Sequence, residues 1–467
     1  MLIYWIRNDF RLIDNESLDY FSNYKNEKKC LFSYDEIKFK NRSAQRWWLY
    51  KTLTYFRNTL EEKKYKFEFV LDNETNCFKK IIKEKKISKV IWNKIFLPDE
   101  ILIENNIINV LEKNKVKYHI FNSNLLLNPN LTKKKNDTPF QVFSPFWRNE
   151  EGIYLENYKY NDRKIKINRN KIIKKYKEFE KILPEKKWYQ KFEKYWKVGE
   201  YEAKNKITQF INNQIFNYNT NRDFPSIEGT SKLSPHLAFG EVSSREIFHK
   251  YYCISKKNTG TRKFINEIGW REFAYHLIYH FPKMQNKNLR KNFDKFPWSR
   301  NKEHLNKWKQ GKTGYPIVDA AMRQLCETGW MHNRLRMVTG SFLVKHLRIN
   351  WIEGEKYFKD SLLDYDTANN VSGWQWIAGC GADAAPYFRI FNPITQGEKF
   401  DTDGIFVKKW IPELKNVPKK YIHKPWEMTE EEKMKINFDL KKNYFEPIVD
   451  HAEARKAALN AFEFTKK

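Results

Sequence analysis

The chain is 467 residues long, enough for two or three domains that each bury a core. A hydrophobic content of 41% excludes a disordered polymer, and no stretch reaches the roughly 18 uncharged apolar residues of a membrane-spanning helix. Lys and Arg total 87 against 57 Asp and Glu, a formal net charge of +30. Abundant Lys, Asn and Ile, of the kind an AT-rich genome encodes, account for part of that charge. The remainder favours a polyanionic partner, nucleic acid ahead of a membrane surface because no amphipathic anchor is evident.

The opening MLIYWIRNDF contains Arg7 and Asp9, which interrupt any signal-peptide core, so a cytoplasmic protein is expected. Short β-branched or aromatic runs at 2–6, 30–34, 67–71, 90–93 and 118–121 read as strands. Between the second and third, Leu49, Leu53, Phe56 and Leu60 recur at helical spacing over 43–65. Strands alternating with helices predict a parallel, Rossmann-like α/β domain over residues 1–127. No G-x-G-x-x-G follows the first strand, so the usual dinucleotide fingerprint is missing.

Residues 128–206 read as an interdomain connector with charge runs such as 164–177 and short helices inside it. From 207 to 467 helix signals dominate, predicting an all-α C-terminal domain. Thr313-Gly314-Tyr315-Pro316 is a turn that puts Pro316 at a helix start. Ile317, Val318, Ala321, Met322 and Leu325 form one stripe, and Gly329 supplies a stop. A second helix is predicted over 331–346.

The five cysteines are Cys30, Cys77, Cys253, Cys326 and Cys380. They include no C-x-x-C pair and no cluster-binding set, so neither a metal site nor a disulfide framework is expected.

Some residues fall on shared helix faces. Glu267, Trp270 and Arg271 stand at i, i+3 and i+4, as Asn333 and Met337 do at i, i+4 beside Arg334 and Arg336. Taken alone, an ordinary Glu–Arg pair beside a buried Trp explains the first set better than chemistry does. Six tryptophans, Trp298, Trp308, Trp330, Trp351, Trp374 and Trp376, crowd into one stretch, where core packing is the ordinary explanation. Trp374-Gln375-Trp376 also lies near Asn369-Asn370 and Asp364-Tyr365-Asp366, polar groups that need partners when buried and that a bound aromatic heterocycle would satisfy. Residues 229–235, GTSKLSP, form a hydroxyl-rich helix start able to hold a phosphate, although simple N-capping by Thr230, Ser231 or Ser234 is the commoner use.

Taken in order, YWIRNDFRLIDN, EGTSKLSPHLAFGEVS, FINEIGWREF, TGYPIVDAAMRQLCETGWMHNRLRM and DAAPYFRIFNP resemble the photolyase/cryptochrome flavoprotein family, closest to bacterial class I cyclobutane pyrimidine dimer photolyases. The resemblance covers nearly the whole C-terminal domain and, more loosely, the N-terminal one. It implies FAD, active as FADH⁻, folded into a U-shape in the helical domain. Thr230, Ser231, Lys232, Leu233 and Ser234, with Tyr218, would hold the pyrophosphate. Asp364, Tyr365 and Asp366 would lie by the ribityl and adenine, and Arg336 would pair with Asp364 against the isoalloxazine. Asn370 would sit near flavin N5, and Arg271 would complete the cofactor set. A neutral amide near N5 tolerates the anionic reduced flavin better than a carboxylate.

The same resemblance implies UV-damaged DNA as partner to a monomeric enzyme, with the dimer flipped out of the duplex. Trp270 and Trp376 would pack on its rings, Glu267 and Asn333 would hydrogen-bond the base edges, Met337 would fill beside them, and Arg334 would face the DNA strand. Trp374, Trp351 and Trp298 would relay electrons that re-reduce the flavin. An antenna chromophore, methenyltetrahydrofolate or 8-hydroxy-deazaflavin, is common in the family, and WNKIFLPDE does not choose between them.

Rival readings are a cryptochrome photoreceptor, a (6–4) photolyase and a flavin-free nucleic-acid-binding module. Asn370, Asn333 and the end of the chain at Lys467 argue against the first, the absence of the WIHHLARH pattern against the second, and the flavin-contact residues against the third. Two departures from the family pattern are Val371-Ser372-Gly373 before Trp374, and Phe264 where some relatives carry Trp.

Overall fold

A computed structural model describes residues 1–158, 174–384 and 388–466. The chain groups into two compact units. One comprises Met1–Phe216, Ser231–Pro282 and Leu363–Asn369; the other comprises Asn217–Thr230, Lys283–Leu362 and Asn370–Lys467.

The first unit is built on a five-stranded parallel sheet. Its strands are β1 (Leu2–Trp5), β2 (Lys28–Ser33), β3 (Lys66–Val70), β4 (Lys89–Asn93) and β5 (Lys117–Phe121), in the order β3-β2-β1-β4-β5. All five expected strands form. The ends of β2 move toward the N-terminus because Lys28 and Lys29, which carry no apolar signal, pair with Leu2 and Ile3. β1 is buried throughout, as a central parallel strand covered on both faces should be. Ile3, Trp5, Leu31, Phe78, Trp92 and Ile107 belong to one core cluster. The predicted helix after β2 spans Ser43–Glu62 and buries Leu49, Leu53, Phe56 and Leu60.

Past the ends of β1 and β4 the sequence runs into buried charge. Arg7 donates to Glu100 at 2.8 Å and to Glu104 at 3.1 Å, while Lys38 pairs with Glu100 at 2.6 Å and Glu74 at 3.0 Å. Asp9 accepts from the Tyr4 hydroxyl at 2.7 Å and from Asn93 Nδ2 at 2.6 Å, and Arg11 Nη1 donates to the Gly240 carbonyl at 3.0 Å. Buried ions persist only when paired in this way. The opening string that carries part of the family resemblance is therefore scaffold, tying the sheet to residues 231–282 of the same unit.

The expected connector is not a bare loop. It holds a helix over Phe143–Asn157, 3-10 turns over Lys177–Ile182 and Lys187–Lys194, and the start of a helix over Glu200–Asn213. Most of the predicted charge run, 164–173, lies outside the described residues.

The second unit contains the punctuated helix, which spans Pro316–Thr328 and stops at Gly329 with φ 68°. Its entry turn is pinned by Asp319, which accepts from the Thr313 and Gly314 amides at 2.8 and 3.0 Å and from the Tyr444 hydroxyl at 2.5 Å. The helix predicted over 331–346 is corrected. It begins at Asn333, with His332 as N-cap, and passes at Phe342–His346 into a π-helical turn. Apolar periodicity cannot distinguish a π turn from an α turn, because both keep the same residues inside. Among the described residues no helix is long and apolar enough to cross a membrane, and no group of three or more His, Cys, Asp and Glu is placed to hold a metal.

Candidate functional site

In the first unit the candidate residues are carried by the Thr259–His280 helix. Asn258 and Thr261 start it with a reciprocal capping box. Glu267 and Trp270 are both partly exposed on one face. Lys263 lies 3.8 Å from Glu267, and Trp270 stacks on Phe143 with ring centroids 3.9 Å apart and planes 8° from parallel. The stack is set by a close approach one residue earlier, where a β-carbon on Gly269 would come within 2.5 Å of the Trp147 ring. The Trp147 indole N–H donates to Asn266 Oδ1 at 3.1 Å.

Arg271 binds inward on the same helix. Its Nη1 donates to Ser244 Oγ and Glu272 Oε1, both at 2.8 Å, and its guanidinium lies 4.9 Å from the Tyr275 ring centroid. Burial would lower its pKa, but Tyr275 and Glu272 outweigh that and raise it. The Tyr275 hydroxyl donates to Asp366 Oδ2 at 2.5 Å, and the Asn369 amide donates to Asp366 Oδ1 at 2.8 Å. The Tyr365 carbonyl accepts from Gln45 Nε2 at 2.7 Å, and buried Asp364 adjoins it. Phe264 is buried and packs on Phe210 at 4.7 Å.

The hydroxyl-rich turn differs from the capping expectation. Leu233 is the N-cap of the short Ser234–Ala238 helix and makes no side-chain cap hydrogen bond. Lys232 takes a left-handed conformation with φ 50°, and Ser231, Lys232 and Ser234 are partly exposed.

In the second unit Asn333 is exposed at the first position of its helix, with Arg336 and Met337 partly exposed one turn later. Arg336 Nε donates to the Met331 carbonyl at 2.8 Å. Arg334 is anchored by Asp223 at 2.8 Å, and its guanidinium lies 4.2 Å from the Phe400 ring centroid. Tyr218 is buried, with the Arg222 guanidinium 5.4 Å from its ring centroid. Asn370 Nδ2 donates to Glu355 Oε1 at 3.3 Å.

The tryptophans divide by environment. Trp374 is 2% exposed, Trp351 is 1% exposed with its indole N–H donating to Asn288 Oδ1 at 2.8 Å, and Trp298 is partly exposed beside Phe296. Trp376 is partly exposed and donates to the Asp383 carbonyl at 3.1 Å. Gln375, which was expected to need a bound heterocycle, is satisfied within the protein. It donates to the Met284 and Lys287 carbonyls at 2.6 and 2.9 Å and accepts from the Leu289 amide at 2.9 Å.

Trp374 is the exception in that triplet. Among the described residues its buried indole N–H has no partner, and neither does the Ser372 hydroxyl two residues before it. An unmet buried polar group costs about 1–3 kcal/mol, so these groups suit an aromatic heterocycle with ring acceptors, as a flavin is. Sequence reasoning missed Phe143, Tyr275, Ser244 and Asp223. Only Asp223 had a usable signal, as an acid within a basic chain. Residues 385–387 of DAAPYFRIFNP lie outside the described residues.

A parallel sheet is followed in sequence by a tryptophan-rich, mostly helical part. Residues 2–160 match the DNA photolyase domain, and residues 264–464 match the FAD binding domain of DNA photolyase. The deoxyribodipyrimidine photo-lyase of Agrobacterium fabrum is 39% identical, over 100% of this chain and 98% of that protein. The chain belongs to the photolyase/cryptochrome family. A bacterial class III photolyase structure from Agrobacterium tumefaciens matches with a TM-score of 0.92 at 38% identity, covering 100% of this chain and 97% of that one. Kinship to class I in particular is not confirmed by these likenesses. An archaeal photolyase from Sulfolobus tokodaii, solved with two FAD molecules, matches with a TM-score of 0.81 at 27% identity, covering 99% of each chain.

Proposed function

We propose that this chain is a light-driven, FAD-dependent lyase that splits cyclobutane pyrimidine dimers in DNA and acts as a cytoplasmic monomer. The carrying observation is its end-to-end likeness to a deoxyribodipyrimidine photo-lyase. The proposed domain limits are 1–127 for the sheet domain, 128–206 for the connector and 207–467 for the flavin- and DNA-binding domain.

When bound, reduced FAD (FADH⁻) supplies the light-absorbing electron donor. The chain's own residues hold and orient. Tyr218 and residues 230–234 are assigned to the pyrophosphate, the latter a partly exposed, hydroxyl-rich turn at a helix start. Arg271, Arg336 and Asp364–Asp366 are assigned to the rest of the cofactor. Asn370, a neutral amide, is assigned to the neighbourhood of N5.

Trp270 and Trp376 offer partly exposed rings to the two bases of a flipped-out dimer. Stacking of this kind is worth about 1–3 kcal/mol per base. Asn333 can donate and accept at a base edge, Glu267 can accept, and Met337 is assigned a soft apolar contact to the same bases. Arg334, steadied by Asp223, is assigned to a backbone phosphate. Trp374, Trp351 and Trp298 run from buried to partly exposed, which suits an electron relay toward solvent. A second FAD, as in the Sulfolobus protein, joins folate and deazaflavin as a candidate antenna.

The test is blue-light repair of an oligothymidine containing a cyclobutane dimer, using photoreduced protein and a dark control. Light-dependent recovery of thymine absorbance is expected. A yellow, photoreducible protein that gives no recovery would overturn the assignment in favour of photoreception or another lesion.

A further inference from the structure

Lys345 is 4% exposed in the π-helical turn Phe342–His346, a kind of turn that recurs at functional sites. Its amine donates to the Arg389 carbonyl and lies 4.5 Å from the Phe388 ring centroid. Ser341, one turn earlier, accepts from the Phe391 amide at 3.2 Å, so the two side chains pin residues 388–391 to the turn. Among the described residues no carboxylate pairs with Lys345. Lys345, Trp376, Ile377, Phe388, Arg389 and Phe391 line one small open cavity. Packing alone would be served by Met, which fills a similar space without burying an amine that lacks a counter-charge.

We infer that Lys345 and Arg389 form a subsite for one phosphate of the DNA strand, next to the base that stacks on Trp376. The inference rests on the proposed seat of the dimer on Trp376. That ring is partly exposed where it lines the cavity, and a phosphodiester adjoins every base of the strand. Arg389 is exposed, where its fork can hold phosphate oxygens two at a time, and buried Lys345 supplies a point charge from within.

The buried amine makes this subsite proton-linked. Burial, with Arg389 adding to it, lowers the Lys345 amine to about 7. The groups around the turn do not replace the missing counter-charge. Burial pushes the Cys380 thiol up to about 12 and so keeps it neutral. The His451–Glu463 helix brings His451 to 2.9 Å from His346, and burial lowers both imidazoles and keeps them neutral. The Trp351–Ser361 helix, also packed on the turn, gives its Glu355 to Asn370. An entering phosphate supplies the negative charge and draws the amine back toward its ordinary value. The complex therefore takes up a proton, and affinity falls as pH rises above 7.

The experiment uses FAD-loaded full-length protein in the dark, with a duplex that carries one cyclobutane dimer, at constant ionic strength. Calorimetry in two buffers of different ionisation enthalpy counts protons, and fluorescence anisotropy gives affinity. The wild type is expected to take up about one proton per complex at pH 8, and its affinity should fall about tenfold between pH 7 and 8.5. Lys345→Met should remove the uptake and bind about tenfold more weakly at pH 7, with flavin content as the check on folding. In the wild-type protein, a neutral methylphosphonate in place of one phosphate beside the dimer should also remove the uptake, which tests the subsite without any variant. No uptake by the wild type, or uptake that survives Lys345→Met or every such methylphosphonate, would overturn the subsite. Equal affinity for damaged and undamaged duplex would overturn the seat of the dimer on Trp376, and the subsite with it.

Discussion

Phe143 stacks on Trp270 almost in parallel, 3.9 Å between ring centroids. One face of the indole is therefore occupied by the protein, and a ligand ring has the remainder of the indole to meet. Phe143 opens the Phe143–Asn157 helix of the same unit, so a residue with no chemistry of its own sets the orientation of a proposed recognition surface. Phe143→Ala should weaken binding of a dimer-containing oligonucleotide about threefold to tenfold, the worth of one aromatic pair. Affinity for undamaged DNA should stay the same. Fluorescence anisotropy on the two DNAs checks this, and equal weakening on both would mean that the stack only stabilises the fold.

Glu267 shares that face, with Lys263 3.8 Å away. Glu267→Gln keeps the shape and removes the charge. Repair yield per absorbed photon is expected to fall about tenfold, or about 1.4 kcal/mol, near the lower end of what a hydrogen bond to a charged group contributes. Flavin content, read from the visible spectrum, should not change. An unaltered yield would remove Glu267 from the reaction.

Gly354 provides the surface on which Trp374 rests. A β-carbon there would lie 2.1 Å from Cη2 of the indole, so ring and helix would have to separate. Gly354→Ala should cost about 1–3 kcal/mol, seen as a lower thermal midpoint, and should slow flavin photoreduction. A variant with wild-type photoreduction would show that the position of Trp374 matters little to electron delivery.

Two buried carboxyls give opposite pH responses. Burial would raise Glu100, but Lys38 and Arg7 outweigh it and hold the carboxyl down at about 2. Its contribution is therefore complete above the unfolded value near 4.3 and is lost as pH falls toward 2. Glu100→Gln should lower stability at neutral pH and flatten the loss between about pH 5 and 2, as followed by urea unfolding.

Glu150 behaves the other way. Burial, with Glu272 adding to it, pushes its carboxyl up to about 8, and Thr132 Oγ1 donates to it. The unfolded chain gives up this proton above about pH 4.3 while the folded chain keeps it, so stability falls as pH rises toward 8. Glu150→Gln should remove that slope and add on the order of 2 kcal/mol near pH 8. A slope that persists in the variant would place its origin elsewhere.

The sequence by itself determined the sheet, the helical half and the identity of the candidate side chains. A central parallel strand must be apolar throughout, a capped helix announces its ends, and both signals are local. The β1 run, Pro316 and Gly329 could be read for that reason. Only the tertiary structure decided what the charged and aromatic residues meet. Arg7, Asp9 and Arg11 belong to the scaffold because Glu100, Asn93 and Gly240, distant in sequence, close around them. Gln375 is satisfied by the 284–289 segment and needs no ligand, whereas the indole N–H of the preceding residue, Trp374, has no acceptor among the described residues. Phe143 reaches Trp270, and Trp308 reaches both Trp374 and Tyr357, through packing that follows from no spacing along the chain. Burial and pairing are properties of neighbours in space, and periodicity reports only on neighbours along one element.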